Sequence, residues 1–200
     1  MARRASHPDY HGAMSDATNG SSSSLSATRL ASVRRHLATL NADPARTTPL
    51  DAILITQAEN RRYATGFTGS AGLVVVSATD AAIFTDFRYI EQAGAQSPAY
   101  EVVRIEGSAW DAIATRAAAH GVRTLLVEAD NLTLDAGRRL RTAVATHAPD
   151  LRLEEGTDLL VPLRQVKDAT EIESMRRAVL IADRAIEAVG ASLRPGMTER

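Results

Sequence analysis

Three glycines spaced three apart, Gly66, Gly69 and Gly72, sit between two apolar runs, Ile53-Leu54-Ile55 and Leu73-Val74-Val75-Val76. A glycine-rich stretch between β-type runs marks a place where the backbone turns sharply or approaches something closely. The whole segment reads Asn60-Arg61-Arg62-Tyr63-Ala64-Thr65-Gly66-Phe67-Thr68-Gly69-Ser70-Ala71-Gly72. It is expected to be a loop, and the chemistry of the chain depends on what that loop is for.

Phosphate binding fits poorly. A dinucleotide fingerprint needs G-x-G-x-x-G leading into a helix, whereas here the spacing is G-x-x-G-x-x-G and a β-branched strand follows. The Walker pattern is absent. A hydrolase elbow around Ser70 would need G-x-S-x-G before a helix, but residue 68 is Thr and the helix is missing. The adjacent Arg61 and Arg62 remain open between a solvated pair and a guanidinium offered to a carboxylate ligand.

The rest of the chain alternates strands and helices. Residues 1–25 are polar and serine-rich, with Ser21 to Ser24 consecutive, and are expected to form a disordered tail. A helix is expected from Ser26, with Leu30, Val33, Leu37 and Leu40 on one face. Asp51–Thr56 reads as a central strand, and Leu73–Ser77 with Ala81–Thr85 as a hairpin. Asp86-Phe87-Arg88-Tyr89 opens a helix over about Tyr89–Gln96. Tyr100–Ile105 and Arg123–Glu128 read as strands, and Leu151–Glu154 as a short edge strand. Ser108 and Thr133 are expected helix caps, and Gly121 closes the first of these two helices.

Asp158–Arg164 is a connector interrupted by Pro162. Asp168 with Glu171 forms a capping box for the longest helix. In it Ile172, Met175, Val179, Ala182, Ile186 and Val189 keep an unbroken 3-4-3-4-3 register that must be buried against something. Residues 1–25, 26–162 and 163–200 are therefore read as a tail, an α/β domain, and a linker with the first helix of a second domain.

Composition removes several function classes. Formal net charge is −1 with scattered Lys and Arg, so nothing points to nucleic acid. There is no cysteine, hence no disulfide or thiolate metal site, which fits a cytoplasmic protein. No apolar run reaches the roughly 20 residues of a membrane span. Of the histidines, His7 and His11 lie in the expected tail, and His36, His120 and His147 show no metal-ligand spacing.

Four stretches together resemble the creatinase, prolidase and aminopeptidase P family of metallopeptidases over about residues 28–200. They are the glycine segment, Phe84-Thr85-Asp86-Phe87-Arg88-Tyr89 with Glu91-Gln92-Ala93, Leu163 to Asp168 with Glu171-Ile172 and Met175-Arg176, and Arg194-Pro195-Gly196-Met197-Thr198-Glu199. The closest likeness is to bacterial Xaa-Pro aminopeptidases and dipeptidases. The resemblance implies a three-layer mixed-sheet α/β domain of ribonuclease H-like type, followed by the first helix of a truncated pita-bread domain.

In the family, two divalent metals, often manganese or cobalt, are held by two Asp, one His and two Glu. Those ligands belong after the Met197-Thr198-Glu199 turn, so no cofactor and no catalytic residue is expected in this chain. The resemblance makes Asn60, Gly66, Gly69, Gly72, Asp86, Arg88 and Tyr89 motif positions. It makes Arg62, Tyr63 and Phe67 candidates for touching substrate in a partner subunit. A homo-oligomer or a full-length homologous subunit is the implied partner. The expected role is the non-catalytic N-terminal part of a peptidase acting next to proline, through subunit contacts and substrate gating. The alternative is a stand-alone interaction domain that has lost its catalytic half.

Overall fold

The structure is a computed structural model that describes residues 18–198, with side chains from Leu25 onward. The tail expectation for residues 1–17, and with it His7 and His11, falls outside the described residues. The described residues divide into two compact units, one on each side of the Leu163–Arg164 junction.

The first unit is built on a six-stranded mixed sheet of order β4-β3-β2-β1-β5-β6. The strands are β1 (Ala52–Ile55), β2 (Leu73–Ser77), β3 (Ala81–Thr85), β4 (Glu101–Arg104), β5 (Thr124–Glu128) and β6 (Arg152–Gly156). β1 is central: it pairs antiparallel with β2, setting Leu54 against Val75, and parallel with β5, setting Ile53 against Leu126. β3 with β4, and β5 with β6, are parallel pairs, so β4 and β6 form the edges.

Because side chains alternate across a strand, each strand feeds two cores. Ile53, Ile55, Val74, Val76 and Ile83 face one side, where they meet Leu30, Val33 and Leu37 of α1 (Thr18–Asn41), Ala64 of α2 (Ala58–Thr65) and Ala93 of α3 (Ile90–Gln96). Leu54, Val75, Phe84, Leu125 and Val127 face the other side. There they meet Ile113 and Ala117 of α4 (Ala109–Ala119) and Leu140 and Val144 of α5 (Leu134–His147). The result is three layers. Strands covered on both faces read as continuous apolar runs, as β1 does. The fold is the α/β mixed-sheet class expected from the sequence.

Local signals hold at most boundaries. The Ser108 side chain accepts from Asp111 N, Thr133 from Ala136 N, and Gly121 takes φ +70° after α4. The hairpin closes with Ser77 N donating to Asp80 O at 2.8 Å.

Three boundaries differ. α1 starts at Thr18 rather than Ser26. Once a buried face nucleates a helix, extension through serines costs little per residue. Ser26 itself is buried, and its hydroxyl accepts from Ala99 N at 3.4 Å. The expected connector around Pro162 is a short helix, α6 (Val161–Gln165). Pro162 is tolerated because first-turn N–H groups have no intrahelical acceptor to lose. The third difference lies at the glycine segment.

In the second unit, Asp168 caps α7 (Ala169–Ser192) with both halves of the capping box formed: Asp168 Oδ1 accepts from Glu171 N, and Glu171 Oε2 from Asp168 N. No residue of α7 is buried.

Candidate functional site

The segment expected to be one loop is half helix. Asn60 to Thr65 belong to α2, and only Gly66–Gly72 is loop. The reason is a cap supplied from far along the chain. Gln57 occupies the N-cap position without a capping side chain of its own. Glu128, at the end of β5 and 1% exposed, fills that place. Its Oε2 accepts from Thr56 N, Thr56 Oγ1 and Gln57 N at 2.5 to 2.9 Å, and its Oε1 accepts from Asn60 Nδ2 at 2.7 Å. A carboxylate is favoured at a helix N-terminus by free N–H donors and by the macrodipole. Sequence reading missed Glu128, because nothing near it in sequence announces a cap about 70 residues away.

Gly66 ends α2 in the left-handed region at φ +80°, with its N–H donating to Arg62 O at 2.8 Å. The chain then turns inward. Phe67 is 1% exposed and its ring meets Tyr89 edge-on at 5.8 Å. A Cβ on Gly69 would lie 2.1 Å from the Phe67 ring, so only glycine fits there. The Arg61 side chain, also buried, closes the loop from within. Its Nη1 donates to Gly72 O and its Nη2 to Gly69 O, both at 2.8 Å. Burial lowers the Arg61 pKa, partly offset by Glu59. Arg61 is thus turned to the protein's own carbonyls and is not offered to a ligand.

The second signature packs against the first. Asp86 caps a 3-10 turn over Phe87–Tyr89 by accepting from Arg88 N at 3.0 Å, and it takes both Arg88 Nε and Nη2. The hydrogen bonds from the Arg88 side chain hold the Asp86 carboxyl below its usual range. Tyr89 Oη and Ser70 Oγ are 2.7 Å apart, which ties the 3-10 turn to the loop. Thr68 Oγ1 accepts from Gln92 Nε2 and Gln96 Nε2 at 2.9 and 3.0 Å, so its crest is braced by α3.

These contacts sort the candidates. Arg62 is exposed, and its side chain makes no hydrogen bond or ion pair with the described residues. Tyr63 is half-buried under the Arg29 guanidinium, 4.1 Å from its ring centroid. Phe67 is a correction: its ring fills the core beneath Gly69 and offers no surface to a substrate. Phe87, from which nothing functional followed in the sequence, stands 71% exposed beside the loop. Ser70 is exposed and its hydroxyl meets the Tyr89 phenol, which supplies no general base. Among the described residues no group of three or more His, Asp or Glu is placed to hold a metal ion. What the arrangement can do is present a rigid, polar crest, with Arg62 on the adjoining helix, to something outside the chain.

The sequence model of the Creatinase/Prolidase N-terminal domain family matches residues 29–166. The chain is 35% identical over 150 residues to a Bacillus subtilis (strain 168) protein described as uncharacterized peptidase YqhT, covering 75% of this chain and 41% of that one. Among solved structures it is similar to the Xaa-Pro dipeptidase from Bacillus anthracis, with a TM-score of 0.76 and 32% identity, covering 87% of this chain and 45% of that one. It is also similar to the N-terminal domain of cytoplasmic peptidase PepQ from Mycobacterium tuberculosis H37Rv, with a TM-score of 0.58 and 32% identity, covering 68% of this chain and 98% of that one. The chain spans about two fifths of the length of the curated relatives it matches.

Proposed function

The chain belongs to the creatinase/prolidase N-terminal domain family, and from that premise we propose that it is the non-catalytic N-terminal part of a metal-dependent Xaa-Pro aminopeptidase or dipeptidase. The observation that carries this reading is the partial match: residues 29–166 fit the N-terminal domain family, and the relatives extend well beyond it. The chemistry of hydrolysis next to proline belongs to that further length. The described residues offer no ligand set for the two divalent metals, manganese or cobalt, that such an enzyme uses, so no step is assigned to them.

This domain's contribution is to subunit contacts and substrate-side gating in a homo-oligomer or beside a full-length homologous subunit. The braced crest at Thr68–Ser70, with the free guanidinium of Arg62 and in part Tyr63, is the surface turned toward a peptide held by the neighbouring subunit. A guanidinium is suited to a peptide carboxylate. The proposed setting is cytoplasmic, as the Mycobacterium tuberculosis relative is described.

The test is a Mn²⁺-supplemented assay of the purified chain on a Xaa-Pro peptide. No turnover is expected, and turnover would overturn the assignment. In a complete enzyme carrying this domain, Arg62→Ala should raise KM with little change in kcat. An unchanged KM would remove Arg62 from the substrate side. A coding sequence downstream that supplies two Asp, one His and two Glu in the family's order supports the reading. Its absence favours a stand-alone interaction domain.

A further inference from the structure

We propose that the cleft between α4 and α5 binds a mononucleotide whose base carries an exocyclic amine. The inference goes beyond the function proposed above and does not depend on it. The cleft has a volume of about 540 Å³, inside the range of roughly 300 to 1,000 Å³ usual for small-molecule sites. Its walls come from residues 107–111 at the start of α4 and from residues between 138 and 147 on α5, all within the first unit.

Three side chains in the cleft keep binding capacity that the protein itself does not use. Trp110, the sole tryptophan, is half-buried against the core shared by the sheet, α4 and α5. Its indole N–H makes no hydrogen bond among the described residues, yet it is not sealed from solvent. An indole is a stacking platform for a nucleobase. Arg138 is exposed and its guanidinium has no partner among the described residues, whereas the adjacent Arg139 is drawn to Asp135 at 2.8 Å. A free guanidinium matches the paired oxygens of a phosphate. Asp111 is exposed, and its carboxylate accepts no hydrogen bond among the described residues; His147 Nε2 stands 3.8 Å from its Oδ1.

Spacing chooses among ligands. Arg138 and His147 are nine residues apart on α5, about 13.5 Å along the axis at 1.5 Å per residue. Asp111 stands at the His147 end, so the carboxylate and the free guanidinium lie toward opposite ends of the cleft. A bare phosphate would use only one of them. The arrangement calls for an elongated ligand with a donor at one end, a flat ring beside it and an anion at the other end. A nucleoside monophosphate of adenine or cytosine supplies all three: its amine to Asp111, its base to Trp110, its phosphate to Arg138. Carboxylates accept from such amines when base edges are read. Thr142 and Thr146 line the stretch between. Each hydroxyl already donates to the carbonyl four residues back, at 3.1 and 2.9 Å, so each is left as an acceptor for a ribose hydroxyl. A base with a carbonyl in place of the amine would set oxygen against oxygen at Asp111.

The experiment is a titration of the full 200-residue chain with adenosine monophosphate, read by quenching of Trp110 fluorescence and by calorimetry. A dissociation constant of about 0.1 mM is expected. Inosine monophosphate, which lacks the amine, and adenosine, which lacks the phosphate, should each bind about tenfold more weakly. Inorganic phosphate should not quench. Arg138→Ala should weaken adenosine monophosphate about tenfold and leave adenosine unchanged. Asp111→Asn should bring adenosine and inosine monophosphates to within about twofold of each other, because an amide can face either edge. Both positions are exposed, so neither variant endangers the fold, and circular dichroism verifies it. No saturation by about 5 mM adenosine monophosphate overturns the proposal. Inorganic phosphate binding as well as the nucleotide overturns it too, since the cleft would then be a bare anion site. Nucleotide binding indifferent to both variants does the same, by placing the ligand elsewhere.

Discussion

Phe67 in the glycine loop and Ile186 on α7 are both large apolar side chains, yet the first is 1% exposed and the second 71%. The difference runs through their whole regions. Around the loop, almost every demanding group is answered by a residue beyond its own turn: the α2 N-terminus by Glu128, the Gly69 and Gly72 carbonyls by Arg61, the Thr68 hydroxyl by Gln92 and Gln96. α7 is completed only locally. Its cap is ideal and its ladder needs nothing further, but its face is unanswered. A local signal suffices to make a helix; only tertiary neighbours make it stable, because burial of the apolar stripe supplies most of a helix's stability.

The sharpest way to break this contrast is to shorten both side chains. Phe67→Ala should cost the first unit about 3 to 5 kcal/mol, the range for a fully buried aromatic. Ile186→Ala should leave that unit within about 0.5 kcal/mol of the original. Urea unfolding followed by Trp110 fluorescence measures both, and similar losses would refute the division.

Next in size is Glu128→Ala. It leaves the Thr56 and Gln57 amides without their acceptor inside the protein, although Asn60 Nδ2 keeps Gln57 Oε1 at 2.8 Å, and should cost about 3 kcal/mol. Hydrogen exchange should show loss of protection beginning at α2. A loss spread evenly over the sheet would mean that Glu128 does not act as that helix's cap.

Gly69→Ala is expected to cost about 2 kcal/mol, because the added methyl must displace the Phe67 ring. Combining it with Phe67→Leu should recover part of the loss, and strict additivity would show that the two positions do not compete for the same space.

The smallest effect belongs to the hairpin. Asp80 accepts from Arg116 Nε and Nη2 at 2.9 and 2.7 Å, and Arg116 Nη2 also donates to Glu101, with His120 nearby. The Arg116 hydrogen bonds hold the Asp80 pKa below its usual value. A group whose folded pKa is depressed contributes fully above its unfolded value and loses that contribution as pH falls through the folded one. Asp80→Asn should therefore cost about 1 kcal/mol at neutral pH, with the gap closing below about pH 4. Melting curves of both proteins from pH 7 to pH 3 (about one unit beyond the usual carboxylate value) decide it. A gap that widens on acidification would reverse the sign and exclude the ion pair as its source.

Much of this was legible in the sequence, for physical reasons. Helix ends governed by residues within a turn were readable because donor and acceptor are neighbours in the chain. Ser108 with Asp111, Thr133 with Ala136 and Asp168 with Glu171 are of this kind. The central strand was readable because its apolar run is continuous, and the hairpin because Ser77 to Asp80 is a short polar turn. The glycine segment was the exception. Its spacing was noticed, but Asn60–Thr65 was read as loop, Arg61 was left open between two roles, and Phe67, a candidate for substrate contact, proved to be core.

By itself, then, the sequence determined the alternation of elements, the caps made within a turn, the family, and the 3-4-3-4-3 apolar register on α7, since all of these rest on order along the chain. Only the tertiary structure decided which of two adjacent arginines faces inward, which aromatic is core and which exposed, and that Glu128 caps a helix preceding it by some 70 residues. Those choices rest on three-dimensional proximity. A guanidinium and a phenyl ring take the place that the nearest carbonyl or cavity allows, and which neighbour is nearest is settled when the sheet assembles.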